Sequence, residues 1–127
     1  MNDRPPAPHP DTRLSLRLVF GDRAMLGPGK ADLLEQIGAT GSISAAGRQM
    51  KMSYKRAWML VEEMNAAFRD PLVDSTRGGP NGGGARLTEA GQTVLAQYRD
   101  LEATVLQTGA AQIATLRGML GDGGGRE

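Results

Sequence analysis

The chain contains no cysteine and one histidine, His9, which stands in a proline-rich opening segment. Disulfides and thiolate metal sites are thereby excluded, and a lone histidine in a polar tail reads as solvated rather than as a ligand. Aromatic residues are scarce: two Phe, two Tyr and a single Trp in 127 residues, so the placement of Trp58 carries unusual weight. Long apolar runs are missing. None approaches the roughly 18–20 residues that span a bilayer, and no basic segment followed by an apolar one opens the chain. A cytoplasmic protein without a membrane partner is therefore expected. No nucleophile–base pair or carboxylate dyad stands out, and Glu62-Glu63 reads most simply as a solvated helix face. Gly27-Pro28-Gly29-Lys30 superficially suggests a phosphate-binding loop. That motif requires Gly where Ala24 stands and Ser or Thr where Ala31 stands. A helix start with proline in a tolerated first-turn position explains the run better. No enzyme and no cofactor are expected.

What is present suits one small globular domain: 39% hydrophobic and 23% charged residues, enough apolar side chains to build a core. The net charge of +1 is uninformative, but its distribution is not. Residues 42–88 carry seven basic groups (Arg48, Lys51, Lys55, Arg56, Arg69, Arg77, Arg86) against four acidic, a net of +3. Residues 89–127 carry three basic and five acidic groups, a net of −2. The middle third is the part that would face a polyanion.

Residues 1–12, rich in Pro and polar groups, read as a disordered tail. In LSLRLVF, Leu14, Leu16, Leu18 and Phe20 alternate against Ser15 and Arg17, the pattern of a half-buried strand. Leu33, Leu34 and Ile37 predict a helix ending near Gly38–Gly41. Ser42 or Ser44 can cap a short second helix with Ile43, Ala46 and Met50 facing inward. Ser53 caps a longer third helix whose inward stripe is Ala57, Leu60, Val61, Met64 and Phe68. PLVDSTR and GGARL read as short extended pieces on either side of a glycine cluster. Thr88 starts a last helix in which Val94, Tyr98, Leu101 and Val105 repeat at spacings of four, three and four, a coiled-coil-like seam.

Two short helices joined by a tight turn are the form that places a second helix in the DNA major groove. Its outward face would show Tyr54, Lys55, Trp58 and Glu62, with Arg56 toward a flank. Lys55 and Arg56 in the first turn can meet phosphates or guanine edges. Trp58 either seeks a partner surface there or caps the edge of the core.

GSISAAGRQMKMSYKRAWMLVEEMN, followed by PLVDSTRGGPNGGGARLTEAG, resembles the N-terminal DNA-binding domain of ModE-type molybdate-responsive regulators. More distantly it resembles the LysR-type winged helix–turn–helix. The resemblance runs from about Leu14 to Val105. It implies a mainly α fold with a small β component: a winged helix–turn–helix over residues 13–87, a long dimerisation helix over 88–118 and a flexible tail over 119–127. It implies Ser44–Met50 as the supporting helix and Ser53–Phe68 as the recognition helix. DNA contacts are expected from Ser44, Ser53, Tyr54, Lys55, Arg56 and Trp58, with Arg77 and Arg86 at the wing. Homodimerisation is expected through Val94, Tyr98, Leu101 and Val105 on a roughly palindromic operator. ModE-type regulators continue into molybdate-binding modules, and none is expected within these residues. Direct molybdate or tungstate binding is not expected, and a separate molybdate-sensing partner is an alternative to an effector-independent regulator. A small oxyanion sensor is the third class to test. A winged-helix protein–protein interaction module without specific DNA binding is the alternative function.

Gly78–Gly84 then acquires a meaning. A linker needs a second domain after it, and a phosphate loop needs Lys-Ser or Lys-Thr where Ala85-Arg86 stands. A wing hairpin accommodates the glycines at its tip and sets Arg77 and Arg86 near its base.

Overall fold

The computed structural model describes residues 11–76 and 84–121. Arg77, most of the glycine cluster, His9 and the last six residues lie outside the described residues. Ser15–Tyr98 forms one unit, and the described parts of Met1–Leu14 and Arg99–Glu127 form another.

The first unit opens with an antiparallel pair, β1 (Leu18–Phe20) and β2 (Ala24–Leu26), registered Leu18 to Leu26 and Phe20 to Ala24. The strand expected over Leu14–Phe20 is thus only its last three residues. Phe20 is half exposed rather than inward, because at the end of a two-stranded ribbon it meets no opposing layer. No sequence pattern announces the second strand; three residues are too short to show a period of two.

Helix α1 (Pro28–Thr40) starts at proline, as expected, and buries Ala31, Leu33, Leu34 and Ile37. It stops at Gly41, whose φ of 73° is the left-handed cap that glycine adopts without strain. Lys30 is structural: its ammonium donates to the Met25 carbonyl at 3.1 Å and lies 3.5 Å from Glu63. Helices α2 (Ile43–Gln49) and α3 (Tyr54–Ala67) follow, capped by Ser42 and Ser53. Their inward stripes, with Leu72 and Val73, close the main core over Leu33, Leu34 and Ile37. Phe68 ends α3 as its C-cap and packs half-buried against this cluster.

The wing is β3 (Val73–Ser75) paired antiparallel with β4 (Ala85–Leu87), shorter on each side than the extended pieces expected there. Thr76 extends it: its N–H donates to the Gly84 carbonyl at 2.9 Å, and the Gly84 N–H donates to its hydroxyl at 3.1 Å. β4 is tied to the helical core where the Ala85 N–H donates to the Gly41 carbonyl at 2.9 Å. The fold is mainly α with two small hairpins, a winged helix–turn–helix.

Helix α4 (Glu89–Thr108) is followed by α5 (Ala110–Gly118), so the single helix expected over 88–118 is two. Glycine at 109 has poor helix propensity, and it relieves a close approach: a Cβ there would sit 2.9 Å from the Val105 carbonyl oxygen. In the second unit Arg117 pairs with Asp11 at 2.6 Å and donates to the Thr12 hydroxyl at 3.1 Å, so these two tail residues are held.

Candidate nucleic-acid interface

The turn between α2 and α3 sets the geometry of the site. The Met52 N–H donates to the Gly47 carbonyl at 3.0 Å and the Lys51 N–H to the Arg48 carbonyl at 3.1 Å, the paired bonds of a Schellman motif. Lys51 occupies the left-handed position with φ 58°, where glycine is the usual occupant. Gly47 lets the helices approach: a Cβ there would meet the Ala57 Cβ at 3.1 Å. Of the two serines able to cap α2, Ser42 does so, its hydroxyl accepting from the Ala45 N–H at 3.0 Å. Ser44 lies inside that helix, half-buried. The Ser53 hydroxyl accepts from the Arg56 N–H at 3.0 Å, and this bond orients the first turn of α3.

From that turn Tyr54 is 59% exposed, and Lys55 and Arg56 project into solvent. Neither cation has an ion-pair partner among the described residues. A groove of about 910 Å³ runs between α3 and the wing base, lined by Ser44, Tyr54, Lys55, Trp58, Met59 and Glu62 among others, with Thr76 and Gly84 on the wing side. Trp58 combines the two roles open to it. It packs half-buried against the main core and meets Tyr54 edge-on, ring centroids 6.1 Å apart, while also lining the groove. Its indole Nε1 is buried with no hydrogen-bond partner among the described residues. Arg86 is exposed on β4 and lies 3.5 Å from Asp74, its cross-strand partner. That exposed pair is weak enough for a phosphate to compete for the guanidinium. Arg77 lies outside the described residues.

The expected dimer seam divides. Tyr98 is 1% exposed and sits in a second core cluster of its own chain with Leu26 and Ala31. Its hydroxyl donates to the Leu16 carbonyl. Val94 packs against both clusters. Leu101 and Val105, in the other unit, are half-buried. Over Val94 and Tyr98 the apolar stripe of α4 thus packs in the cluster that holds Leu16, Leu18, Leu26 and Ala31 of the same unit.

Asn65 and Thr88 fix the wing. Asn65 Oδ1 accepts from the Leu72 and Val73 N–H groups at 2.8 and 3.1 Å, and Nδ2 donates to the Val73 carbonyl at 3.1 Å. The Thr88 hydroxyl donates to the Pro71 carbonyl at 2.7 Å and accepts from the Gly91 N–H at 3.0 Å. Thr88 caps α4 as its place before the apolar run predicts, whereas its tie to Pro71 and the bonds of Asn65 carry no local pattern in the sequence.

Residues 30–92 match the family described as bacterial regulatory helix–turn–helix proteins of the LysR family. The molybdenum-pterin-binding protein MopB of Rhodobacter capsulatus is 48% identical over 82 residues, 65% of this chain and 30% of that protein. The transcriptional regulator ModE of Yersinia pestis is 40% identical over 92 residues, 72% of this chain and 35% of the relative. The DNA-binding transcriptional dual regulator ModE of Escherichia coli K12 is 38% identical over 92 residues, with the same coverage. The chain spans about a third of the length of these curated relatives.

Proposed function

We propose, from the match of residues 30–92 to the LysR-type helix–turn–helix family and the similarity to ModE-type regulators, that the chain is a transcriptional regulator binding a specific duplex site as a homodimer. The observation that carries this reading is the pair Lys55 and Arg56, both exposed and without an intramolecular ion pair among the described residues, on the first turn of a capped helix beside the wing. Cations held in such a place are available to displace counterions from a phosphate backbone. The neighbouring groove side chains are available to base edges.

Support for pairing of two copies comes from apolar surface in the second unit. Leu116, Met119 and Leu120 are 65%, 77% and 68% exposed, which is costly to leave in water. A two-fold dimer would bind a near-palindromic operator with half-sites about one helical turn, or a multiple of it, apart. Among the described residues no helix is long and apolar enough to cross a membrane. We place the protein in the cytoplasm, where the duplex DNA it would bind is found.

The test is anisotropy of labelled duplex DNA at fixed salt with the parent and with Lys55→Ala/Arg56→Ala. The double variant should bind more weakly at every sequence, and log Kd against log salt should flatten by about one for each phosphate no longer neutralised. Equal affinity in a folded variant removes Lys55 and Arg56 from the interface. No duplex affinity at micromolar concentration in the parent would favour the protein-interaction reading instead.

A further inference from the structure

Glu62 and Glu63 are indistinguishable in the sequence, yet the fold gives them different surroundings. Glu63 turns toward α1 and lies 3.5 Å from Lys30. Glu62, about 100° around the helix, lines the groove with Lys55, Met59 and the wing base. It is exposed and has no hydrogen bond or ion pair among the described residues. Lys55, Met59 and Glu62 fall at spacings of four and three, which puts them in one stripe along α3. The seven-residue step from Lys55 to Glu62 rises about 10.5 Å, roughly three base-pair steps of about 3.4 Å.

A carboxylate on a DNA-facing stripe is unfavourable against phosphates, so its presence calls for a specific compensation. The major-groove edges narrow the possibilities. Guanine presents two acceptors and thymine an acceptor and a methyl group, so both repel or ignore a carboxylate. Adenine offers an amino donor beside the N7 acceptor, which faces the second carboxylate oxygen. Cytosine offers the N4 amino donor with no acceptor of its own beside it. From this geometry we infer that Glu62 is a specificity-determining residue of the interface, its carboxylate accepting a hydrogen bond from cytosine N4 about three base pairs from the step met by Lys55. The inference rests on the DNA-binding reading above. Glu62 acts partly by exclusion: at any other base it leaves a desolvated charge against acceptors, which penalises wrong sites more than it strengthens the right one.

The experiment is in vitro selection of bound duplexes with the full chain and with Glu62→Gln, followed by Kd measurements on the selected site with each base at the assigned position. For the parent, replacing the cytosine should weaken binding roughly 5- to 150-fold, the range of one good base contact. Glu62→Gln should lose that penalty or move the preference to adenine, which a glutamine pairs through N6 and N7. Glu62→Asp should keep cytosine preferred. Glu62→Ala should bind random-sequence duplex more tightly than the parent, an increase in non-specific affinity that a merely structural role would not produce. Because Glu62 is exposed and unpartnered among the described residues, melting temperatures of all variants should match the parent. A parent motif without a cytosine at this step, or Glu62→Gln retaining the full cytosine penalty, overturns the inference while leaving DNA binding intact. A parent that binds no duplex overturns both.

Discussion

Replacing Gly91 by alanine separates helix propensity from packing. Gly91 lies in the first turn of α4, where propensity alone predicts that Ala stabilises by about 1 kcal/mol. The fold predicts the opposite. A Cβ at Gly91 would stand 2.1 Å from the Leu72 carbonyl oxygen and 3.0 Å from its carbon. Real Cβ atoms essentially never come within 3.0 Å of a neighbouring heavy atom, so most of an ångström must open. Neither side is free to give. The Leu72 N–H is held by Asn65 at 2.8 Å, and the Leu72 carbonyl accepts from the Thr88 N–H at 3.0 Å. Thr88 is in turn bonded to Pro71 and Gly91 at 2.7 and 3.0 Å. Overpacking of a fixed site costs about 1–3 kcal/mol, and each hydrogen bond broken as the helix start swings away costs about 0.5–1.5 kcal/mol more. With one such bond broken, and less the propensity gain, Gly91→Ala should destabilise by about 0.5–3.5 kcal/mol. Urea unfolding monitored by circular dichroism measures it. The control is Gly29→Ala in the first turn of α1, where a Cβ would meet nothing within 4 Å; it should gain up to about 1 kcal/mol. A Gly91→Ala protein as stable as its parent would refute the close approach of α4 to the wing base.

Asn65→Ala leaves the Leu72 and Val73 N–H groups without their acceptor and should cost about 2–6 kcal/mol by the same urea assay, at about 1–3 kcal/mol per unsatisfied group. Asn65→Asp, which keeps the acceptor, should cost less. Lys51→Gly removes the left-handed strain of about 1–2 kcal/mol at the helix–turn–helix turn, partly offset by about 0.5–1 kcal/mol of glycine entropy. A small net rise in denaturation midpoint is expected, and a fall would show that Lys51 makes a compensating contact. Tyr98→Phe removes the bond to Leu16 and about 0.5–1.5 kcal/mol of stability. It should leave the sedimentation coefficient of the proposed dimer unchanged, whereas Leu116→Asp with Met119→Asp should shift the protein toward monomer. A Tyr98→Phe protein that dissociates would return this residue to the subunit interface.

The helices are legible in the sequence because their stripes are long enough to show a period of 3.6. Ala57, Leu60, Val61 and Met64 are buried in α3 as their spacing predicts, and Ser53 caps that helix. The β elements are less legible: three-residue strands carry almost no periodic signal, so β2 escapes detection and alternation turns Phe20 the wrong way. The break at Gly109 is masked because apolar residues continue on both sides of it, although its lack of a Cβ matters to the Val105 carbonyl. Within the site, charge type and helical face locate Lys55 and Arg56, and the caps locate the start of α3.

Sequence alone determined which segments are amphipathic helices, where serine, glycine and proline start and stop them, and that the cations concentrate in the middle third. These are local properties, encoded within a few turns of chain. Only the tertiary structure decided what each face meets. It packed Tyr98 and Val94 with Leu16, Leu18, Leu26 and Ala31 of their own chain, across separations of up to 82 residues. It made Asn65 and Thr88 the fasteners of the wing, across separations of 8 and 17 residues that no local pattern records. And it separated two adjacent glutamates, one against Lys30 and one on the groove, because a turn of about 100° along the helix carries one toward α1 and the other toward the wing.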